Sequence, residues 1–162
     1  MQAIILAAGM GKRLGVLTRE NTKCMVQVNG VTLISRLLSQ IEARNFSRVV
    51  IVTGYKEENL KSHIASLSLK TPIEYISNPT YDTTNNIYSL YLAAEQLAED
   101  ETILFESDLI FEDRLLDRLI NDPSPSLALV AQFQSWMDGT CVVVDDEGRI
   151  ERFVSSQEFN YN

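Results

Sequence analysis

Apolar residues cluster in short runs whose lengths fit buried strands. Residues 2–8 form an almost unbroken run, Ala3-Ile4-Ile5-Leu6-Ala7-Ala8, that meets Gly9 at once. A buried parallel strand that feeds a ligand loop reads this way. From Thr32 the spacing becomes helical, with Leu33, Ile34, Leu37, Leu38 and Ile41 on one stripe and Thr32 available as N-cap. Arg48 to Thr53 contains Val49-Val50-Ile51-Val52, a second buried strand closed by Gly54. Residues 56–67 are expected to be helical, Ile73 to Ile76 a short strand, and Thr84 to Leu97 a helix with Ile87, Leu90, Tyr91, Ala94 and Leu97 inward. Thr102 to Phe105 predicts another strand, and Glu112 to Ile120 another helix.

Such alternation implies an α/β fold with a mostly parallel central sheet and helices on both faces. Beyond Pro123 and Pro125 the pattern changes. Leu127 to Gln132, Thr140 to Val144 and Arg149 to Val154 read as strands, and Asp145-Asp146-Glu147-Gly148 as a hairpin turn, so the C-terminal part is expected to be antiparallel. No repeat or linker divides the chain, so residues 1–162 are taken as one domain.

Composition adds limits. An apolar fraction of 45% and a charged fraction of 22% are ordinary for a globular domain. The net charge of -8 argues against a nucleic-acid partner, which needs a basic face, although a local Lys/Arg cluster can still hold a small anion. No apolar run approaches a membrane span and no basic leader precedes the first strand, so a cytoplasmic location is expected. Cys24 and Cys141 fall in no metal spacing and read as reduced structural thiols. His63, in a polar helical stretch, is expected at the surface without a partner.

The loop after the first strand, Gly9-Met10-Gly11-Lys12-Arg13, places small residues and backbone N–H groups where the chain turns, with two cations directly behind. It is not a P-loop, because Leu6 stands where the first glycine belongs and Arg13 where Ser or Thr belongs. It is not the dinucleotide fingerprint either, since Leu14 replaces the third glycine. Taken alone, it fits a phosphate loop or a plain strand-to-helix turn.

Together with Thr22-Lys23-Cys24-Met25-Val26-Gln27-Val28-Asn29-Gly30 and the helix from Leu33, the segment Leu6 to Leu14 resembles the LAAGxGxRL and PKxLxxVxGxPLI blocks of the nucleoside-triphosphate transferases. The resemblance implies a Rossmann-like three-layer nucleotidyltransferase fold. It implies that Leu6, Ala8, Gly9 and Gly11 line the nucleotide, that Lys12 and Arg13 reach the outer phosphates, and that Lys23 neutralises charge growing at the α-phosphate. Lys12 reads equally well as a solvated side chain. Thr22 departs from the usual proline, a change of loop stiffness and not of chemistry.

Glu106-Ser107-Asp108 follows the strand Thr102-Ile103-Leu104-Phe105, and carboxylates beyond the carboxyl end of a parallel strand lie where open α/β sheets bind ligands. Asp108 resembles the family aspartate that holds Mg²⁺, the expected cofactor, against the α-phosphate. Glu106 is expected on the opposite side of the strand and is the weaker candidate. The family's second carboxylate comes from a later acidic strand that has no counterpart before Asn162, so the chain is read as part of a longer protein with a further C-terminal region.

Asn78-Pro79-Thr80-Tyr81, with Asn85-Asn86-Ile87-Tyr88-Ser89-Leu90, resembles a block of bacterial phosphocholine cytidylyltransferases and of the related aminoalkylphosphonate enzymes. Asn85, Asn86 and Ser89 carry short polar groups suited to the edge of cytosine, and one of the two asparagines is equally suited to capping the helix. Trp136 and Asp138 combine an aromatic face with a carboxylate, which fits an ammonium group on the acceptor; a core position explains the tryptophan equally well. The resemblance thus implies transfer of CMP from CTP to phosphocholine or 2-aminoethylphosphonate, with no histidine base. The alternatives are a sugar-1-phosphate nucleotidyltransferase and a non-catalytic nucleotide-binding domain.

Overall fold

The computed structural model describes residues 1–134, 136, 137 and 139–155. It divides into two compact units, the first Met1–Leu119 and the second from Ile120 onward.

In the first unit the chain runs β1 (Gln2–Leu6), β2 (Gln27–Val28), β3 (Val31–Thr32), α1 (Leu33–Glu42), β4 (Val49–Thr53), α2 (Glu57–Ala65), β5 (Ile73–Ser77), α3 (Asn86–Leu92), α4 (Ala94–Glu99) and β6 (Thr102–Glu106). Helix α5 (Asp113–Asn121) closes it and runs into the second unit. Four strands form one sheet in the order β5-β4-β1-β6, and every pairing is parallel. The chain therefore builds outward from β1 through β4 to β5, then returns to the other side of β1 as β6. This reversal places the switch point between β1 and β6, where open α/β sheets leave a crevice beyond the strand ends.

Both faces of the sheet are covered. Ile4, Leu6, Val50 and Val52 pack with Ala93 at the junction of α3 and α4, with Leu90 and Ile76 against them. Ala3, Ile5, Val49 and Ile51 alternate to the opposite face and are equally inaccessible. Helix α1 buries the predicted stripe Leu33, Ile34, Leu37, Leu38 and Ile41, and the Thr32 hydroxyl accepts from the Ser35 N–H at 3.1 Å as its cap. One buried polar residue is fully matched. Gln2 donates to Thr102 Oγ1 at 2.9 Å and to the Gln96 carbonyl, and accepts from Arg48 Nε at 2.7 Å.

Several expectations require correction. The helix predicted from Thr84 to Leu97 is broken at Ala93, and its inward face differs: Ser89 and Ala93 are buried, whereas Ile87 and Tyr91 are 76% and 69% exposed. His63 has partners, since its Nε2 lies 3.0 Å from Thr32 Oγ1 and 2.8 Å from Ser35 Oγ, joining α2 to the cap of α1. Residues 29 and 30 form the turn of a β2–β3 hairpin that the periodicity does not reveal.

The second unit holds the antiparallel hairpin β7 (Thr140–Val144) and β8 (Ile150–Ser155). Leu127 to Gln132 is not a strand. Its apolar residues Leu127, Leu129 and Val130 are exposed, so among the described residues no pleated neighbour or core stabilises an extended ladder there. Both cysteines are buried and free, and no helix among the described residues is long and apolar enough to cross a membrane.

Candidate functional site

Two turns stand beyond the carboxyl ends of β1 and β6. Ala7 N–H extends the β1 ladder by donating to the Val52 carbonyl at 2.8 Å, and the Ala8 carbonyl accepts from Tyr55 N–H at 3.1 Å. Gly54 permits this approach: a Cβ there would stand 3.0 Å from the Ala8 carbonyl oxygen and 2.7 Å from the Tyr81 Cβ. Leu6 and Ala8 are buried, so they offer a ligand backbone and not side chain. The chain then leaves the sheet at Gly9 and turns at Gly11, whose φ of 62° lies in the left-handed region. The Gly11 carbonyl accepts from Leu14 N–H at 2.9 Å and from the buried Thr18 hydroxyl at 3.0 Å, closing the turn Lys12–Thr18. Lys12 and Arg13 are exposed on that turn and form no ion pair among the described residues.

The second turn carries Lys23. Thr22 adopts φ −69°, the value a proline ring would impose, so the departure from the usual residue preserves the backbone path. Thr22 Oγ1 lies 3.0 Å from Cys24 Sγ, and the thiol also makes a side-chain hydrogen bond with Ser107. Burial pushes the Cys24 thiol up to about 11 against the opposing pull of these hydrogen bonds. Cys24 and Ser107 are the inward neighbours of Lys23 and Asp108. Their contact fixes the two outward residues side by side, and Lys23 forms an ion pair with Asp108. Gly11 abuts the same lysine, because a Cβ there would lie 3.0 Å from the Lys23 Cβ.

Strand β6 ends at Glu106, and residues 107 and 108 turn. Residues two apart on a strand share a face, and the charge of Asp108 acts on the Glu106 carboxyl, so the expectation that Glu106 faces away from it is corrected. The Glu106 carboxyl is raised above the ordinary range by partial desolvation first and by the charge of Asp108; Asn86 and Lys23 act in the opposite sense. Asn86 Nδ2 donates to both of its oxygens, at 2.8 and 3.1 Å. Glu106 is thus a site residue that the sequence reading placed on the wrong side, since strand alternation already groups it with Asp108.

The other candidates separate. Asn85 caps α3, its Oδ1 accepting from Tyr88 N–H at 3.4 Å. Ser89 is buried and accepts from Asn78 Nδ2 at 3.1 Å, so the structure assigns its hydroxyl to the interior and not to a ligand. Trp136 belongs to the second unit and is 78% exposed, which excludes a core position. Asp138 lies outside the described residues. A separate hollow of about 540 Å³, lined by Ser35, Arg36, Gln40 and Phe111 among others, holds none of the candidate residues.

A family model for the MobA-like NTP transferase domain matches residues 3–157. The CMP-5'-(3-aminopropyl)phosphonate synthase of Streptomyces rubellomurinus is 31% identical over 97% of this chain and 25% of its own length. The 2-aminoethylphosphonate cytidylyltransferase of Lancefieldella rimae is 30% identical over 93% of this chain and 59% of its own. The solved CTP:phosphocholine cytidylyltransferase of Streptococcus pneumoniae, LicC, superposes with a TM-score of 0.71 at 23% identity, over 95% of this chain and 64% of that one, and so shares the fold. The chain spans between a quarter and just under two thirds of the length of these proteins. With the family model matching nearly every residue, the chain belongs to the MobA-like NTP transferase domain family.

Proposed function

We propose that the protein is a cytidylyltransferase that transfers CMP from CTP to a phosphonate or phosphate acceptor bearing an amino or quaternary ammonium head, such as 2-aminoethylphosphonate or phosphocholine. The observation that carries this reading is the convergence of Gly11, Lys23 and Asp108 at the switch point between β1 and β6. Support for the substrates comes from the relatives, of which two are named for aminoalkylphosphonates and one for phosphocholine.

An acceptor oxygen, already ionised at neutral pH, attacks the α-phosphorus of CTP. The new P–O bond forms as the α–β P–O bond breaks, and pyrophosphate leaves with the bonding pair. Such a transfer asks the protein mainly for positioning and charge neutralisation. Backbone N–H groups of the loop from Gly9 to Gly11 cradle phosphate oxygens, Arg13 and Lys12 pair with the outer phosphates, and Lys23 moves from Asp108 to the α-phosphate.

Asp108 fits Mg²⁺. It is a hard oxygen donor, and its charge reaches a second carboxyl, Glu106. Mg²⁺ takes one or two carboxylates and fills the rest of its shell with phosphate oxygens and water, so Asp108 would hold it together with the triphosphate. When bound, Mg²⁺ would supply positive charge against the phosphates.

Pyrophosphate release from CTP, UTP, GTP and ATP is the test, with 2-aminoethylphosphonate, phosphocholine and glucose-1-phosphate, in magnesium and in EDTA. Release is expected only from CTP with an amino-type acceptor, and only in magnesium. Turnover of UTP with glucose-1-phosphate overturns the reading in favour of a sugar-1-phosphate enzyme; nucleotide binding without release from any pair favours a binding domain.

A further inference from the structure

The contact between Asn86 and Glu106 decides which way round the asparagine amide lies. Nδ2 donates to both carboxylate oxygens, and an ionised carboxylate can only accept. The reversed amide would set its oxygen against two others. Glu106 therefore holds the NH₂ group and leaves Oδ1, which accepts no hydrogen bond among the described residues, on an exposed side chain. Of the three polar side chains expected to face the base, Asn85 is spent on the helix cap and Ser89 on Asn78. Both of those contacts use an oxygen as acceptor, whereas the exposed Asn86 has its NH₂ group held and its acceptor oxygen left over.

An acceptor in a fixed orientation separates the two pyrimidines. Cytosine presents an exocyclic amino donor at the position where uracil presents a carbonyl oxygen. We propose that Glu106 is a positioning residue for base selection: it holds the Asn86 amide so that Oδ1 accepts from the cytosine amino group and opposes the uracil carbonyl. This rests on the reading of CTP as substrate. Glu106 touches neither the reacting phosphorus nor the base; it acts through Asn86.

Calorimetric binding of CTP and UTP to the full chain in magnesium, without an acceptor, tests the assignment. Glu106→Gln keeps the shape, but its amide pairs with Asn86 either way round. The wild type is expected to bind CTP about 100-fold more tightly than UTP, and Glu106→Gln to cut that ratio to about tenfold or less while the melting temperature stays in place. Asn86→Ala, which removes the acceptor, is expected to weaken CTP and spare UTP. An unchanged ratio in Glu106→Gln overturns the proposal, as does an equal loss of both nucleotides in either variant. Equal binding of CTP and UTP by the wild type would sink the cytidylyltransferase reading itself, before any variant is made.

Discussion

Lys23 and Asp108 neutralise one another just past the carboxyl end of β6, each about one third exposed. A cation and an anion placed together in this way suit a ligand that brings both signs, a triphosphate and its dication, since each partner then exchanges one counter-charge for another. Asp108→Asn tests the anionic half. The amide keeps the size but gives up the charge, so stability should shift by no more than about 1 kcal/mol while turnover falls by about 100- to 1,000-fold. Full activity at saturating magnesium would show that Asp108 holds no metal.

Gly11 and Gly9 lie two residues apart and should fail in different ways. Gly11 has a φ of 62°, and a Cβ on it would meet Lys23 and Thr18 side-chain carbons at 3.0 Å. Gly11→Ala is therefore expected to cost about 1–3 kcal/mol in thermal unfolding and to displace Lys23. A Cβ on Gly9 would meet nothing within 4 Å. Gly9→Ala should leave the melting temperature unchanged yet weaken CTP binding, because the added methyl occupies space left for phosphate. Equal melting temperatures for the two variants would contradict this division.

The two central strands, β1 and β4, were legible because they are buried on both faces and so read as plain apolar runs, as Ile4-Ile5-Leu6 and Val50-Ile51-Val52 do. Helix α1 was legible through its one-sided stripe. Periodicity misread α3 because a polar contact, Asn78 to Ser89, occupies its inner face and leaves Ile87 and Tyr91 outside. The Asn29-Gly30 hairpin carries a recognised turn dipeptide, but its strands are two residues each, too short for alternation to show. At the site, motif spacing located Gly11, Lys23 and Asp108. It could not locate the Asn86–Glu106 contact, which joins the start of α3 to β6, nor the buried Cys24–Ser107 contact, which looks in sequence like two unremarkable small residues.

Glu42, in the last turn of α1, accepts from Thr71 Oγ1, from Thr71 N–H at 3.0 Å and from Lys70 N–H at 2.9 Å, tying the helix to the segment before β5. These bonds, the Thr71 hydroxyl foremost, hold its carboxyl below the ordinary range. A carboxyl lowered by folding stabilises above its unfolded value of about 4.3 and loses that contribution as pH falls through the folded value. Glu42→Gln should therefore lie furthest below the wild type in melting temperature at pH 6 to 7, with the gap narrowing below about pH 4. A gap that stays constant from pH 7 to pH 3 would show that the carboxylate charge contributes nothing there.

Cys24 joins the two turns of the site from beneath, and its chemistry makes the join observable. The residue is 1% exposed, and burial raises the thiol to about 11. At pH 8 only about one molecule in a thousand then carries the reactive thiolate, and reagent must also reach a closed interior. Iodoacetamide at pH 8 is accordingly expected to leave Cys24 unlabelled in the native protein and to label it once urea opens the fold, as read by peptide mass. Because Thr22 and Ser107 flank the thiol on the segments that present Lys23 and Asp108, any slow native labelling measures the opening of those turns, and CTP with magnesium should slow it further. Native labelling as fast as in urea would mean that the two turns are not held together by this contact.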